Sequence, residues 1–224
     1  RHYLNGIYLH KTKLENKSFL CGVATDSHRL SSSSLEIDPK INIEPIILPK
    51  KTIFQLIFLL EQSSSTIKIS NNKSKIKFEI NASVLISKVI DGRFPDYSKV
   101  IPKNNDKILQ IKLDEFRNSI ERVATVSSDR TKGLKMTISK DGVQLSVNNP
   151  NSGEGIENIN AKFNSNDLNI SFNSRYLTDI ASQIENEFIV INLKDAGSPV
   201  LINDFSDKNS FYVVMPMKIW FILF

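Results

Sequence analysis

Along the first half of the chain, strand-like runs of apolar residues interleaved with polar ones occupy positions 4–10, 19–25 and 43–48, and again 66–70, 75–80 and 84–89. A period of two is that of a β-strand, whose successive side chains point to opposite faces. In 66–70 and 75–80 the alternating partner is Lys or Ser, the pattern of a sheet with one wet face. Between the two sets, Pro49 precedes a stretch at 50–62 in which Ile53, Phe54, Ile57 and Leu60 recur at helical spacing, which predicts a helix. Asp91-Gly92-Arg93-Phe94-Pro95-Asp96 combines two turn-forming dipeptides and reads as a linker.

The second half opens on an amphipathic helix at 113–126. Leu113, Phe116, Ile120, Val123 and Ala124 share one face, while Arg117, Asn118 and Glu121 turn away. Strands at 134–138 and 143–147 flank Lys140-Asp141-Gly142, a hairpin signal. Strands at 157–163 and 168–172 lead to a helix at 174–184 with Tyr176, Leu177, Ile180, Ala181 and Ile184 in one stripe, and strands at 188–193, 200–204 and 211–216 follow. The helices at Lys50 and Ser174 have matching surroundings, displaced by roughly 125 residues, which makes the chain a domain-scale duplication. The fold class this predicts is α+β, with antiparallel sheets and helices on one face. The expected domains are 1–91, lacking its opening helix, a linker at 92–106, a second domain at 107–219, and an extra apolar tail at 220–224.

Composition narrows the function without naming it. The chain has 224 residues and a formal charge of +5, from 29 Lys and Arg against 24 Asp and Glu. That excess permits nucleic-acid binding without establishing it, and frequent Lys, Asn and Ile suggest that codon bias contributes to it. The longest internal apolar run, 56–60, is far short of the ~18 to 20 residues that span a bilayer. No export signal opens the sequence, so no membrane partner and a cytoplasmic location are expected. One cysteine, Cys21, cannot form an intrachain disulfide and reads as a small core residue in a reducing compartment.

Catalytic constellations are thin. His2, His10 and His28 have no metal-ligand spacing, and there is no nucleophile elbow or glycine-rich phosphate loop. Thr25-Asp26-Ser27-His28-Arg29 holds Ser, His and Asp together, yet neighbours in an extended segment point to opposite sides, so a turn at a strand end is the better reading. No cofactor and no metal are expected. The cations sit on the helices: Lys50 and Lys51 at the start of one, Arg117 and Arg122 on the next, Arg130 and Lys132 just beyond it, and Arg175 at the start of the last. Cations in one helical layer would present a positive face to phosphates.

Four blocks carry a more specific signal: Leu4-Asn5-Gly6 following Arg1, Ala24-Thr25-Asp26-Ser27-His28-Arg29-Leu30, Asp91 through Tyr97 with Pro102-Lys103-Asn104, and Tyr212-Val213-Val214-Met215-Pro216-Met217-Lys218. In order and spacing they resemble the second and third domains of the bacterial DNA polymerase III beta sliding clamp family, across essentially the whole chain to Ile219. The resemblance implies a non-catalytic processivity subunit of a DNA polymerase holoenzyme. Its members are ring-shaped homodimers with helices around a central hole, through which double-stranded DNA passes without sequence preference. Phosphate contacts suit such sliding, being sequence-independent and salt-sensitive.

The resemblance also implies partners. Polymerase, clamp loader and repair proteins would insert Gln-Leu-x-Leu-Phe-like peptides into a cleft. In this sequence its lining would come from Leu4, Thr25, Ser27, His28, Arg29, Leu30 and Pro95, and from Lys99, Val100, Pro199, Val213, Val214, Met215, Pro216 and Met217. Methionine suits a site that adapts to several peptides. Ser27 stands where the family commonly has Gly, Lys99 and Lys218 where it has Arg, and Pro199 at a Ser position; Lys for Arg keeps charge but loses the planar fork. His2 and Tyr3 match the family's DNA-contacting loop. Without a first domain, this chain alone is expected to be a monomer that does not encircle DNA. The alternative reading is a truncated clamp-like module that binds partner peptides only; a hydrolase using His28 and Asp26 is a third.

Overall fold

The computed structural model describes residues 1–62, 66–127, 132–204 and 207–218, and the chain divides into two units, 1–96 and 97–224. In the first unit, β1 (Gly6–Leu14), β2 (Lys17–Thr25) and β3 (Arg29–Ile37) follow one another, and β4 (Ile46–Pro49) pairs on the far side of β1. These strands are antiparallel in the order β3-β2-β1-β4. β1 begins flush against β4, so closely that a Cβ on Gly6 would lie 2.2 Å from the Leu48 carbonyl oxygen. Only glycine fits there, which gives the Leu-Asn-Gly block a steric cause.

β3 has no counterpart in the hydropathy pattern. Its inward positions include Ser32, which is buried, so polar residues occupy places that a period-two reading expects to be apolar. After Pro49 the chain enters α1 (Lys50–Glu61) directly, followed by a second antiparallel sheet of β5 (Ile67–Asn71), β6 (Lys75–Ile80) and β7 (Ser83–Lys88). The core joins Ile46 and Leu48 to Ile76 and Phe78, with Ile53 and Leu56 of α1 half-buried against it. A 2.6 Å hydrogen bond between the Thr52 and Ser87 hydroxyls fastens α1 to β7.

The orientation of α1 differs from the expected stripe. It turns Thr52, Ile53, Leu56 and Leu59 inward, while Phe54, Ile57 and Leu60 are exposed. Seven of the ten residues at 52–61 are apolar, so more than one face is compatible with a helical period, and only one is covered by the sheet.

In the second unit, β8 (Lys107–Lys112) runs into α2 (Leu113–Ala124). Next come β9 (Gly133–Ser139), β10 (Gly142–Asn149), β11 (Gly153–Ile159), β12 (Ala161–Phe163) and β13 (Leu168–Asn173). α3 (Ser174–Ala181), β14 (Phe188–Leu193), β15 (Val200–Asp204) and β16 (Ser210–Val214) complete it. One sheet runs β12-β8-β14-β15-β16 and another β11-β10-β9-β13, all neighbours antiparallel. The single strand expected at 157–163 is two: it breaks at Asn160, β11 pairing with β10 and β12 with β8, so the chain changes sheets there. At the β9–β10 hairpin Gly142 has φ +140°, and a Cβ would lie 2.6 Å from the Ile159 carbonyl oxygen.

Phe116 and Ile120 of α2 and Leu177 and Ile180 of α3 pack with Met136, Leu145 and Phe172 in one large core. Asp114 and Glu115 in the first turn of α2 complement its dipole, and the Asn173 side chain caps α3 by accepting from the Arg175 backbone N–H at 3.0 Å. Three antiparallel strands follow α1 and three follow α3, and the two helices start 124 residues apart, at Lys50 and Ser174.

Candidate functional site

The β2–β3 turn is built by one carboxylate. Asp26 Oδ1 accepts from the backbone N–H groups of His28 and Arg29, each at 2.9 Å, and Oδ2 accepts from Arg29 Nε at 3.0 Å. The Thr25 hydroxyl donates to the Arg29 carbonyl at 2.7 Å and accepts from the Ser27 N–H at 3.2 Å. Partial burial works to raise the Asp26 carboxyl, but the two N–H donors and the Arg29 guanidinium outweigh it and hold the group below its ordinary range. Ser27 has φ +78°, in the left-handed region that favours glycine. Asp26 therefore serves the backbone of His28 rather than its ring, and the exposed His28 imidazole is not oriented by it for hydrolysis.

Around this turn the first unit gathers the other blocks. Arg1 Nη1 donates to Ser27 Oγ at 2.7 Å. A short 3-10 turn, His2–Leu4, follows, with Leu4 half-buried. The ring of His2 is 2.9 Å from the Asp91 carbonyl oxygen through Nε2 and packs edge-on to Tyr3. Gly92 makes room: at φ +145°, a Cβ would come within 3.3 Å of Tyr3 Cβ. The segment expected as a linker also carries a core residue, since Phe94 is buried and stacks on Tyr8 with centroids 4.9 Å apart, leaving Pro95 exposed.

The second unit's candidates fall into two groups. Val100 and Met215 are exposed, Lys99 lies on a 3-10 turn (Tyr97–Lys99), and Pro199, Pro216 and Met217 are half-buried. The Pro199 carbonyl accepts from Asn105 Nδ2 at 3.0 Å, and the Met217 N–H donates to the Ser171 carbonyl at 2.7 Å, which ties the segment after β16 to β13. Val213 and Val214 are buried, Val214 within the main core, and Leu30 of the first unit is buried as well. The side chains of these three are buried and offer no accessible surface.

The basic residues separate by what their charges already meet. Arg117, read from the sequence as facing outward, donates to the carbonyls of Ala181 and Ile184 at the end of α3, with its Nη2 2.7 Å from Ile184 O. Arg122 forks onto Glu157 at 2.8 and 3.0 Å; that hydrogen-bonded pair raises the guanidinium and lowers the carboxyl. Both cations are engaged within the domain. Lys50, Lys51 and Arg175 remain exposed, Lys50 lying 5.6 Å from the Phe54 ring centroid. Lys132 takes φ +42° and its carbonyl accepts the Ser174 N–H at the start of α3. Arg130 and the tail Trp220–Phe224 lie outside the described residues.

Net charge is unevenly shared: residues 1–96 hold 14 Lys and Arg against 9 Asp and Glu, and residues 97–224 hold 15 of each. Among the described residues no three His, Cys, Asp or Glu side chains gather as a metal centre would need, and no helix is long and apolar enough to cross a membrane.

Residues 1–96 match the model of the DNA polymerase III beta subunit central domain, and residues 98–218 that of its C-terminal domain. The chain belongs to the DNA polymerase III beta subunit family. It is 36% identical over 220 residues to the beta sliding clamp of Caulobacter vibrioides and 32% identical over 219 residues to that of Escherichia coli K12. Each alignment covers 98% of this chain and 59% of the relative, so the chain spans well under two thirds of the curated relatives it matches. The sliding clamp of Bartonella birtlesii, solved bound to griselimycin, superposes with TM-score 0.94 at 39% identity over 98% of this chain and 59% of that one. A clamp from Pseudomonas aeruginosa gives 0.91 at 32% identity, covering 98% and 59% respectively. The mostly antiparallel α+β architecture is that of the family.

Proposed function

We propose that the chain acts in a DNA polymerase processivity clamp, holding replication and repair proteins on DNA, in the cytoplasm, through a peptide-binding cleft and without catalysing a reaction. The observation that carries this is the succession of both family domains along one chain, with 36% identity to a curated beta sliding clamp across 98% of its length. The peptide role falls to residues whose side chains are accessible: Ser27, His28, Pro95, Lys99, Val100 and Met215. The related Bartonella clamp was crystallised with griselimycin, which supports a ligand-accepting surface in this family. His2, Tyr3, Lys50, Lys51 and Arg175 are the residues proposed to meet DNA, and the full-length protein is proposed to work as a homodimer.

Titration calorimetry with a Gln-Leu-x-Leu-Phe peptide tests the cleft. A micromolar Kd, about 8 kcal/mol, is expected for a short segment ordered on binding. Met215→Ala and Val100→Asp alter exposed side chains, so each should weaken binding at least several-fold without unfolding the protein. Equal affinity in both variants and the parent would place the site elsewhere.

A further inference from the structure

The small sheet in residues 1–96 carries α1 on one face. Leu85 and Val89 join the core beneath that helix, and Ser87 reaches it through the hydrogen bond to Thr52. Successive side chains of a strand alternate, so Val84, Ile86 and Lys88 stand on the face turned away from α1, and Lys75, next to the core residue Ile76, stands there with them. The register sets Lys75 directly opposite Lys88, and like charges so placed destabilise a sheet. Lys73 brings a third ammonium group from the turn before β6, which Asn72 fixes by accepting from the backbone N–H groups of Ser74 and Lys75, each at 2.9 Å. Lys68 and Lys77 share Glu79 at 3.9 and 3.0 Å, whereas among the described residues no carboxylate pairs with Lys73, Lys75 or Lys88.

The three lysines border a depression of about 510 Å³ that is also lined by Ile47 and Ile90 and contains one acidic side chain, Asp91. Two and four residues before Lys88, on the same face, Ile86 is 60% exposed and Val84 59%. Cations beside uncovered aliphatic side chains suit a ligand that carries both carboxylates and apolar groups, and that combination is polypeptide. A phosphate chain would leave the aliphatic half uncovered. The sheet itself lies between these lysines and α1, whose Lys50 and Lys51 are proposed above to meet DNA.

We propose that this face docks an acidic, aliphatic segment of a partner protein, with carboxylates on Lys73, Lys75 and Lys88 and a branched side chain over Ile86. A carboxylate bridging Lys75 and Lys88 offsets their repulsion, so a cost carried by the free protein is relieved in the complex. Salt screens the charged contacts at this exposed site and leaves the aliphatic one, so binding weakens with ionic strength without vanishing.

Fluorescence anisotropy of a labelled octapeptide of alternating Glu and Val with the full chain tests it, a labelled DNA duplex serving as the comparison. K73Q/K75Q/K88Q should weaken peptide binding about tenfold or more at low salt, since three exposed ion pairs of modest strength are lost together. The same variant should change duplex affinity less than about threefold, as screening confines each charge to its own neighbourhood. I86S should weaken the peptide about threefold through lost apolar contact while leaving capture of poly-glutamate unchanged. The charge-matched K13Q/K17Q/K40Q should alter peptide affinity less than about threefold. The thermal midpoint of K73Q/K75Q/K88Q should hold or rise, because a repulsive pair has been removed, a direction opposite to that of a structural lesion. Equal weakening of the peptide by both triples would reduce the effect to net charge and overturn the proposal. A duplex affinity that falls with K73Q/K75Q/K88Q as far as the peptide's would assign the face to nucleic acid and overturn it too, as would no peptide binding by the unaltered chain at about 1 mM.

Discussion

α1 and α3 occupy equivalent places in the two units, 124 residues apart, and meet different fates. In α3, Leu177, Ala181 and the following Ile184 are 1%, 0% and 1% exposed, because α2 packs beside it and Arg117 grips its last carbonyls. In α1 the matching positions are Ile53, Ile57 and Leu60; the first is half-buried, and the other two are 45% and 37% exposed. Among the described residues of the first unit no second α-helix lies against α1. An apolar stripe is therefore a statement about what a helix could bury, and its burial depends on a partner element.

That contrast can be broken most severely in the second unit. Phe116→Ala removes a fully buried ring from α2 and should cost about 3–5 kcal/mol in denaturant unfolding, whereas a loss below about 1 kcal/mol would mean the α2–α3 layer does not hold that unit together. Arg117→Ala should cost about 1.5–3 kcal/mol, the range for hydrogen bonds to a charged group, because it releases carbonyls at the end of α3. Retention of full stability would show that water replaces the guanidinium freely.

A smaller, pH-dependent effect belongs to the first unit. Asp26 is held below its ordinary value in the folded state, so its contribution is complete above the unfolded value and is lost as pH falls through the lower, folded one. Hydrogen exchange at the His28 and Arg29 amides should accelerate across that acid window, and Asp26→Asn should weaken protection at neutral pH. Amides indifferent to both changes would show that the turn holds without the carboxylate. The least effect is expected from Phe54→Ser, within about 0.5 kcal/mol, since that ring is 59% exposed; a loss above about 2 kcal/mol would mean α1 is covered in solution.

These differences also mark how far the sequence could be read. The paired periodicities of α2 and α3 and the hairpin at Gly142 were legible because local pattern and tertiary packing agree there. β3 was not, since Ser32 takes a buried position that hydropathy assigns to an apolar residue. Neither was β8, six residues whose buried Leu109 and Ile111 sit between lysines at both ends and run straight into a helix. In the candidate site, the turn at Asp26 followed from its polar residues. The internal engagement of Arg117 and Arg122 did not, because their acceptors are carbonyls and a glutamate at least 35 residues away in sequence.

The His10–Tyr8–Phe94 stack gives the first unit an optical signature. Tyr8 stacks on two nearly parallel rings, at interplanar angles of 22° and 8°, and a tyrosine fixed in an asymmetric setting absorbs left and right circularly polarised near-ultraviolet light unequally. Burial lowers the basicity of His10 against the pull of its hydrogen bond to Lys11, which favours an uncharged ring beside Tyr8 at neutral pH. Detachment of the segment carrying Phe94 would thus be visible as a loss of near-ultraviolet dichroism while the far-ultraviolet signal of the sheets persists.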